Sequence, residues 1–308
     1  MDEAEMLTAS TVNSVVRSDL GRVRAGSSRC PGRFRSNWLV DPASGVYSSY
    51  IPSPTSIAAD PALTSHGVRQ AEELATHLST LDPPIEAVYS SPFYRCLQTV
   101  DPFVRQQQQQ QHHHRLDRRG SAASSRIRLE HGIREWFGVA PFQHPTPAPP
   151  QLLSDLFPAV DSGYQSAAVP AERGETLAQL QERVATTLRV LIRRSDAEGV
   201  RAVVVCTHAA VVIVMGRVLT ACVPVTVDAQ DFHAYTCGLT VFRRHHHHHH
   251  HDSHPVEAAE SLIGGWRCVL DSDCSFLSGG QERGWKFSGD ESFPGTESDS
   301  HGHGQHKL

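Results

Sequence analysis

Two stretches of the sequence place reactive polar side chains directly after predicted β-strands. Residues 90–95, which include two serines and Arg95, follow a short apolar strand at residues 87–89. Residues 207–210, which include His208, follow the continuous β-favouring run 202–206. Open α/β sheets bind ligands beyond the carboxyl ends of their strands. These two stretches are therefore the first candidates for a functional site.

Arg95 and His208 are residue types that suit phosphate chemistry. Pro92 is tolerated in the first turn of a helix, so the sequence predicts that a helix begins near Arg95. A guanidinium at a helix start adds a fixed positive fork to the positive helix end, which favours a phosphate dianion. His208, between a strand and a helix, could donate to phosphoryl oxygens. A structural arginine and a structural histidine are the alternatives.

The elements around these residues alternate between strand and helix. Apolar residues recur three and four positions apart over residues 64–81 and 175–194, which predicts two amphipathic helices. Residues 202–206 predict a strand that is covered on both faces, and the apolar segment 209–219 predicts the next helix. This order predicts a three-layer α/β/α sandwich with a mainly parallel sheet. Further strands are predicted at residues 127–129, 236–243 and 266–270.

Four motifs, in the correct order, resemble the histidine phosphatase (phosphoglycerate mutase-like) superfamily. They are "LTSHGVRQA", "SSPFYRCLQT", "GETLAQLQERV" and "VVVCTHAAVV". By this resemblance Arg95 binds phosphate and His208 is the second histidine of the pocket. A fifth segment, "GIREWF", resembles the one that supplies the acidic proton donor, which would be Glu135; a loop salt bridge is the alternative. The segment "FRSNW" adds Arg35 and Asn37 as phosphate-binding candidates.

The nucleophile of that superfamily has no counterpart in this alignment. Members begin with a strand that ends in Arg-His-Gly, whose imidazole attacks phosphorus. Here "FRSNW" follows Pro31, Gly32 and Arg33, so glycine stands in the place of the histidine. No apolar strand precedes this segment, and we expect the first strand to be missing or degraded. The chain is therefore expected to be inactive. The cause would be either a misassigned gene start or splice junction or an evolutionary loss of the motif. The abrupt change in sequence composition near Phe34 favours a misassigned start or junction.

Two functions remain open. The intact form would be a metal-independent phosphomonoester phosphatase that works through a phosphohistidine, with a phosphorylated small molecule or phosphoprotein as substrate. The alternative is a non-catalytic scaffold with a vestigial phosphate pocket. Four segments, "FRSNW", "SSPFYRCLQT", "GIREWF" and the late "FLSGGQERGWKF", resemble fungal proteins related to the histidine-phosphatase-like subunit of an RNA polymerase III factor. That resemblance implies protein partners in a transcription or signalling complex.

Composition limits the other possibilities. The net charge of −5 creates no field that attracts nucleic acid, and no stretch approaches the ~18 apolar residues of a membrane span. Seven scattered cysteines suit a reducing compartment, so we expect a cytoplasmic or nuclear protein. The polyhistidine at residues 245–251 lacks the ordered spacing of a metal site, and we expect neither metal nor cofactor. Binding to nucleic acid through the basic run 115–128 ranks last.

Changes in composition and hydrophobic periodicity along the sequence set the expected domain boundaries. Residues 1–32 are expected to be an irregular segment, and residues 33–289 a single domain. Low-complexity insertions are expected at 105–126, which contains six glutamines, and at 244–262. Residues 290–308 are expected to be a disordered tail. Substrate specificity would come from the proline-containing loops at residues 42–61 and 141–164.

Overall fold

A six-stranded mixed sheet with helices on both faces forms the centre of the protein. The computed structural model describes residues 4–10, 38–114, 126–244 and 262–287. The strands are β1 (Glu5–Ser10), β2 (Trp38–Val40), β3 (Tyr47–Ser49), β4 (Ala87–Ser90), β5 (Ile127–Leu129), β6 (Ala202–Thr207), β7 (Leu239–Arg244) and β8 (Trp266–Asp273). The α-helices are α1 (Ser65–Leu78), α2 (Tyr94–His114), α3 (Pro150–Leu156), α4 (Leu177–Glu198) and α5 (Ala209–Thr220).

The sheet has the order β5-β4-β6-β1-β7-β8, and β2 and β3 form a separate hairpin. The neighbours β5–β4, β4–β6 and β6–β1 are parallel, whereas β7 is antiparallel to both β1 and β8. The predicted fold class, a three-layer α/β/α sandwich with a mainly parallel sheet, is confirmed. The late strands supply its antiparallel edge.

The alternation of side chains along the central strands produces the two cores of the sandwich. Met6, Val203 and Val205 face one side and pack with α4 and α5. Leu7 and Val204, which directly follow Met6 and Val203 in their strands, face the other side and pack with α1 and α2. Both faces of these strands are buried, as expected for parallel strands covered by helices.

The prediction that the first strand is missing or degraded was wrong. Residues 5–10, with the sequence EMLTAS, form β1 in the middle of the sheet, between β6 and β7. Residues 1–32 are therefore not irregular throughout. The sequence analysis missed this strand because six residues, two of them alanine and serine, carry little of the β-branched signal by which buried strands are recognised. Tertiary pairing on both edges stabilises it instead.

Local sequence fixes the two long predicted helices. Thr64 caps α1 by accepting a hydrogen bond from the Gly67 N–H at 3.0 Å. Thr176 and Gln179 form a reciprocal capping box at the start of α4, and Gly199, with a φ of 68°, ends that helix. These caps satisfy backbone groups that would otherwise lack partners at the helix ends.

Parts of both expected low-complexity insertions belong to regular structure. The first does not start at residue 105, because α2 continues through the glutamines to His114, and Gln107 Nε2 donates to the Ile85 carbonyl at 2.9 Å. At the second, Arg244 still belongs to β7, and the Leu262 carbonyl accepts from the Trp266 indole at 2.9 Å. The remaining insertion residues, 115–125 and 245–261, and the tail 290–308 lie outside the described residues. Helix α3 lies in a stretch that was expected to be a loop.

Candidate functional site

The candidate site lies where β4 and β6 end side by side. These strands are parallel and pair Ser90 with Cys206. The chain leaves β4 into α2, with Arg95 in its first turn, and leaves β6 through His208, the N-cap residue of α5. The Ser91 N–H donates to the Cys206 carbonyl at 2.9 Å and holds the two exits together. The topology thus brings Arg95 and His208 to one edge of the sheet.

Arg95 is completely buried and lies between two carboxylates. Its Nη1 donates to Asp60 Oδ1 at 3.0 Å and to the Ala59 carbonyl at 3.0 Å, and its Nη2 donates to Glu135 Oε2 at 3.0 Å. Its Nε is buried and has no hydrogen-bond acceptor among the described residues. Asp60 also accepts from the Tyr94 N–H at 2.6 Å, so its carboxylate lies at the positive end of α2.

His208 contacts the same group of residues. Its Nδ1 lies 3.2 Å from Arg95 Nη2 and 3.2 Å from Glu135 Oε2, and its Nε2 lies 2.8 Å from the Ser91 hydroxyl. Cys96 Sγ is 3.5 Å from Nε2. Burial lowers the pKa of His208, but the neighbouring Cys96 and Glu135 raise it to about 9, in spite of Arg95. An imidazolium at this position can donate both to Glu135 and to an anion.

A buried ion pair fixes the segment that carries Glu135. The Arg183 guanidinium of α4 donates to both oxygens of Glu175 at 2.7 to 2.9 Å and to the Gly132 carbonyl at 2.8 Å. Trp136 Nε1 donates to the Glu175 carbonyl at 2.8 Å. Glu175 and Arg183 of the motif "GETLAQLQERV" therefore hold the segment "GIREWF" against α4. Within the described residues, neither Glu175 nor Arg183 forms a hydrogen bond with Arg95 or His208. The pair therefore positions Glu135 indirectly.

Gly174 is needed for the same clamp. Its φ of +84° lies in the left-handed region, and a Cβ on it would come within 2.2 Å of the Gly138 carbonyl oxygen. Only glycine permits this close approach of two backbone segments. The chain can thus turn directly into the Glu175–Arg183 pair and the start of α4.

Aromatic side chains cover the site from the β2–β3 hairpin. Trp38 and Tyr47 pack against Phe137, with ring centroids 6.1 and 6.2 Å apart, and Phe93 joins the same cluster. Burial, and then the Glu135 carboxylate, raise the pKa of Tyr47 well above its usual value. Tyr47 Oη lies 2.6 Å from His144 Nδ1. This cover explains why Arg95, His208 and Glu135 are almost inaccessible to solvent.

The structure brings together Arg95, Glu135 and His208, the three candidates that lie in its described part. Arg35 and Asn37, the other two, lie outside the described residues. Sequence reasoning missed Asp60, whose backbone lies in a loop that was expected to set specificity. A single acid beside Pro61 carries no periodic signal that distinguishes it from a surface carboxylate. Its role depends on the long-range approach of α2.

The described part of the chain contains no cluster of three potential metal-ligating side chains. None of its helices combines the length and the apolar character that crossing a bilayer requires.

The profile of the histidine phosphatase superfamily (branch 1) matches residues 54–254. The chain belongs to the histidine phosphatase superfamily. The matched range includes Arg95, Glu135 and His208, and it begins after β1. The family expectation from the sequence motifs is therefore confirmed.

The chain is also similar to a transcription factor subunit. It is 30% identical over 270 residues to the transcription factor tau 55 kDa subunit of Saccharomyces cerevisiae. The alignment covers 82% of this chain and 56% of that subunit, so the chain spans about half the length of this curated relative. The expected relationship to fungal histidine phosphatase-like proteins of this kind is confirmed.

Solved structures of phosphatases resemble the chain more distantly. The ecdysone phosphate phosphatase from Bombix mori, in complex with tungstate, has a TM-score of 0.49 and 17% identity, and the match covers 79% of this chain and 89% of that one. A mycobacterial glucosyl-3-phosphoglycerate phosphatase has a TM-score of 0.45 and 13% identity, with coverages of 88% and 98%.

Proposed function

We propose that this chain is a non-catalytic histidine phosphatase-like domain that acts as a scaffold in a protein assembly. One observation carries the proposal: the first histidine in the sequence is His66, so nothing in or directly after β1 can act as the nucleophile of a phosphohistidine mechanism. β1 ends in Ala9 and Ser10, beside the end of β6 that leads to His208.

No other described histidine replaces it. His66 lies on α1 with its Nε2 2.7 Å from Glu282, His144 is bound to Tyr47, and His233 to Asp271. Among the histidines whose side chains the structure describes, only His208 lies within hydrogen-bonding distance of Arg95. His208 already contacts Ser91 and Glu135, and the family resemblance implies that it would donate to phosphoryl oxygens instead of attacking phosphorus. In-line attack requires a nucleophile in a defined position opposite the leaving group.

The charges of the pocket support weak phosphate binding at most. Asp60 and Glu135 both contact Arg95, so a phosphate dianion would have to compete with two carboxylates for one guanidinium. The free Arg95 Nε and the His208 imidazolium still offer donors to an anion. A vestigial pocket with low affinity for phosphate follows from this balance.

The kind of partner is inferred from the relative. The tau 55 kDa subunit is by name part of a transcription factor, and we propose protein partners in such an assembly for this chain. A nuclear location goes with this role. The proposal needs no metal, no membrane and no direct contact with nucleic acid.

Turnover of a generic aryl phosphate tests the proposal. The full chain is expected to hydrolyse it no faster than buffer does. Arg95→Lys serves as the matched control, because a trace of contaminating phosphatase would be equally active in both preparations. Hydrolysis by the wild type that Arg95→Lys abolishes would show that the domain is an enzyme.

A second candidate is a metal-independent phosphomonoester phosphatase encoded by another form of the same gene. The observation that favours it is the convergence of Arg95, Glu135 and His208 within 3.2 Å of one another. Sequencing the native transcript across the codons for residues 1–40 tests it. A product with Arg-His-Gly before Phe34 supports the phosphatase, and a product that matches the present sequence contradicts it.

A further inference from the structure

The β2–β3 hairpin covers the Arg95 pocket but is not part of the central sheet. Its two strands have three residues each. In the described structure they pair with each other and with neither edge of the six-stranded sheet. A two-stranded hairpin on its own is marginally stable in water. The position of this hairpin therefore depends on its contacts with the residues beneath it.

A layer of two phenylalanines lies between the hairpin and the polar groups of the pocket. The Phe93 ring is 5.6 Å from the His208 ring, and the guanidinium carbon of Arg95 is 4.8 Å from the centre of Phe93. Phe137 packs against Phe93 on one side and against Trp38 of the hairpin on the other. Arg95 and His208 are both 0% exposed beneath this cover.

One hydrogen bond joins the hairpin to a fixed side chain of the body of the domain. Burial lowers the pKa of His144, so its ring is neutral at pH 7. Its Nε2 lies 2.8 Å from the Gly138 carbonyl, which can only accept, so the ring proton is on Nε2. Nδ1 is then an acceptor, and the Tyr47 hydroxyl donates to it at 2.6 Å. The His144 ring also stacks on Phe137.

The tip of the hairpin makes a second contact with the same body. The Gly45 N–H donates to the Asp41 carbonyl at 2.8 Å and closes the turn. Gly45 has a φ of +70°, in the left-handed region, and a Cβ on it would lie 2.5 Å from Phe142 Cγ. Glycine thus permits the tip to approach the Phe142 ring closely.

We propose that the β2–β3 hairpin is a lid that controls solvent access to Arg95 and His208, with the Tyr47–His144 hydrogen bond as its latch. The lid can open without disturbing the central sheet, because the two share no ladder of hydrogen bonds. An anion that binds in the pocket must pass the same lid. The lid goes beyond the proposed scaffold function and does not depend on it, since access is needed for binding as much as for turnover.

The Nε–H group of Arg95 reports the entry of water into the pocket. It is buried without a hydrogen-bond acceptor among the described residues, so its exchange with solvent requires that water reach it. In a ¹⁵N-labelled full chain, Arg95→Lys assigns the resonance by removing it. Tyr47→Phe deletes the latch hydroxyl and is expected to speed this exchange about 3- to 10-fold, as the loss of one hydrogen bond implies.

Matched controls separate lid opening from a general loosening of the fold. Ser48→Ala, exposed on the same hairpin, is expected to leave the Arg95 exchange unchanged. Arg183 Nε–H, which donates to Glu175 at 2.9 Å and is assigned through Arg183→Lys, is expected to keep its wild-type rate in Tyr47→Phe. Amide exchange measured by mass spectrometry is expected to become faster in residues 38–49 and to stay unchanged in β6.

Gly45→Ala loosens the lid at its tip and is expected to speed the Arg95 exchange as well; if one of the two variants does not fold, the other decides. Wild-type exchange at Arg95 in the folded variants would overturn the proposal, because access would not pass through the hairpin. Equal acceleration at Arg95, Arg183 and β6 would also overturn it, because the whole domain would then open. So would a wild-type Arg95 Nε–H that exchanges as fast as that of the exposed Arg193, because the pocket would not be closed.

Discussion

The neighbouring strands β6 and β1 pair in parallel over six residues, yet they carry very different chemistry at their carboxyl ends. β6 leads into His208, which contacts Arg95, Glu135 and Ser91. β1 ends in Ser10, opposite Thr207, in a stretch without histidine. β1 is thus a core strand of the sheet, and the first histidine that follows it in the sequence is His66. Fold and catalysis depend on different residues of the same element, so one can persist without the other.

The largest effect is expected when the buried cluster of Arg95, Asp60 and Glu135 is broken. Arg95→Ala leaves the buried carboxylates of Asp60 and Glu135 without their counter-charge and is expected to destabilise the fold by about 3–5 kcal/mol. Urea unfolding of the variant beside wild type measures this. Arg193→Ala, exposed on α4, should change the free energy of unfolding little. If Arg95→Ala lowers the free energy of unfolding only slightly, the cluster relaxes around the new side chain or admits water.

The next prediction tests whether β1 is a true core strand. Met6 and Leu7 are both 1% exposed, one in each core, so Met6→Ala and Leu7→Ala are each expected to cost about 2–5 kcal/mol. Chemical denaturation of each variant gives the number. Leu39→Ala, on the β2–β3 hairpin and largely exposed, is the control. If both variants at β1 match this control, the strand does not lie in the centre of the sheet.

The pH dependence of stability reports on His208. Its folded pKa of about 9 lies above the ordinary value near 6.5, so the folded state holds a proton that the unfolded state releases between these values. The stabilisation is complete below about pH 6.5 and is lost as the pH rises through 9, by up to about 3 kcal/mol. His208→Gln is expected to remove this loss. Equal slopes for the two proteins between pH 6.5 and 9 would contradict the charged imidazole.

The smallest effect concerns the clamp around Glu135. Thr176→Ala removes the capping box of α4, beside the Glu175–Arg183 pair, and is expected to cost about 1 kcal/mol. Thermal unfolding measures the change, with Thr186→Ala on the exposed face of α4 as the control. A loss of several kcal/mol would show that the cap and the buried ion pair act as one unit.

The sequence predicted the parts of this molecule whose signals are local. Helices α1 and α4 carry both an apolar stripe and a capping threonine, and β6 is a continuous run of β-favouring residues. Arg95 and His208 were found because each follows a strand, and Glu135 because its segment resembles a family motif. β1 and Asp60 were missed because their roles arise from distant contacts, with β7 in one case and α2 in the other.

The most direct test of the central claim is to look for the covalent intermediate itself. The full chain would be mixed with an aryl phosphate, quenched at alkaline pH to preserve phosphohistidine, and examined by mass spectrometry of the intact protein and its peptides. The account predicts unmodified protein at every time point. A phosphoryl group on a histidine, absent from Arg95→Lys, would contradict it and show that the domain still catalyses phosphoryl transfer.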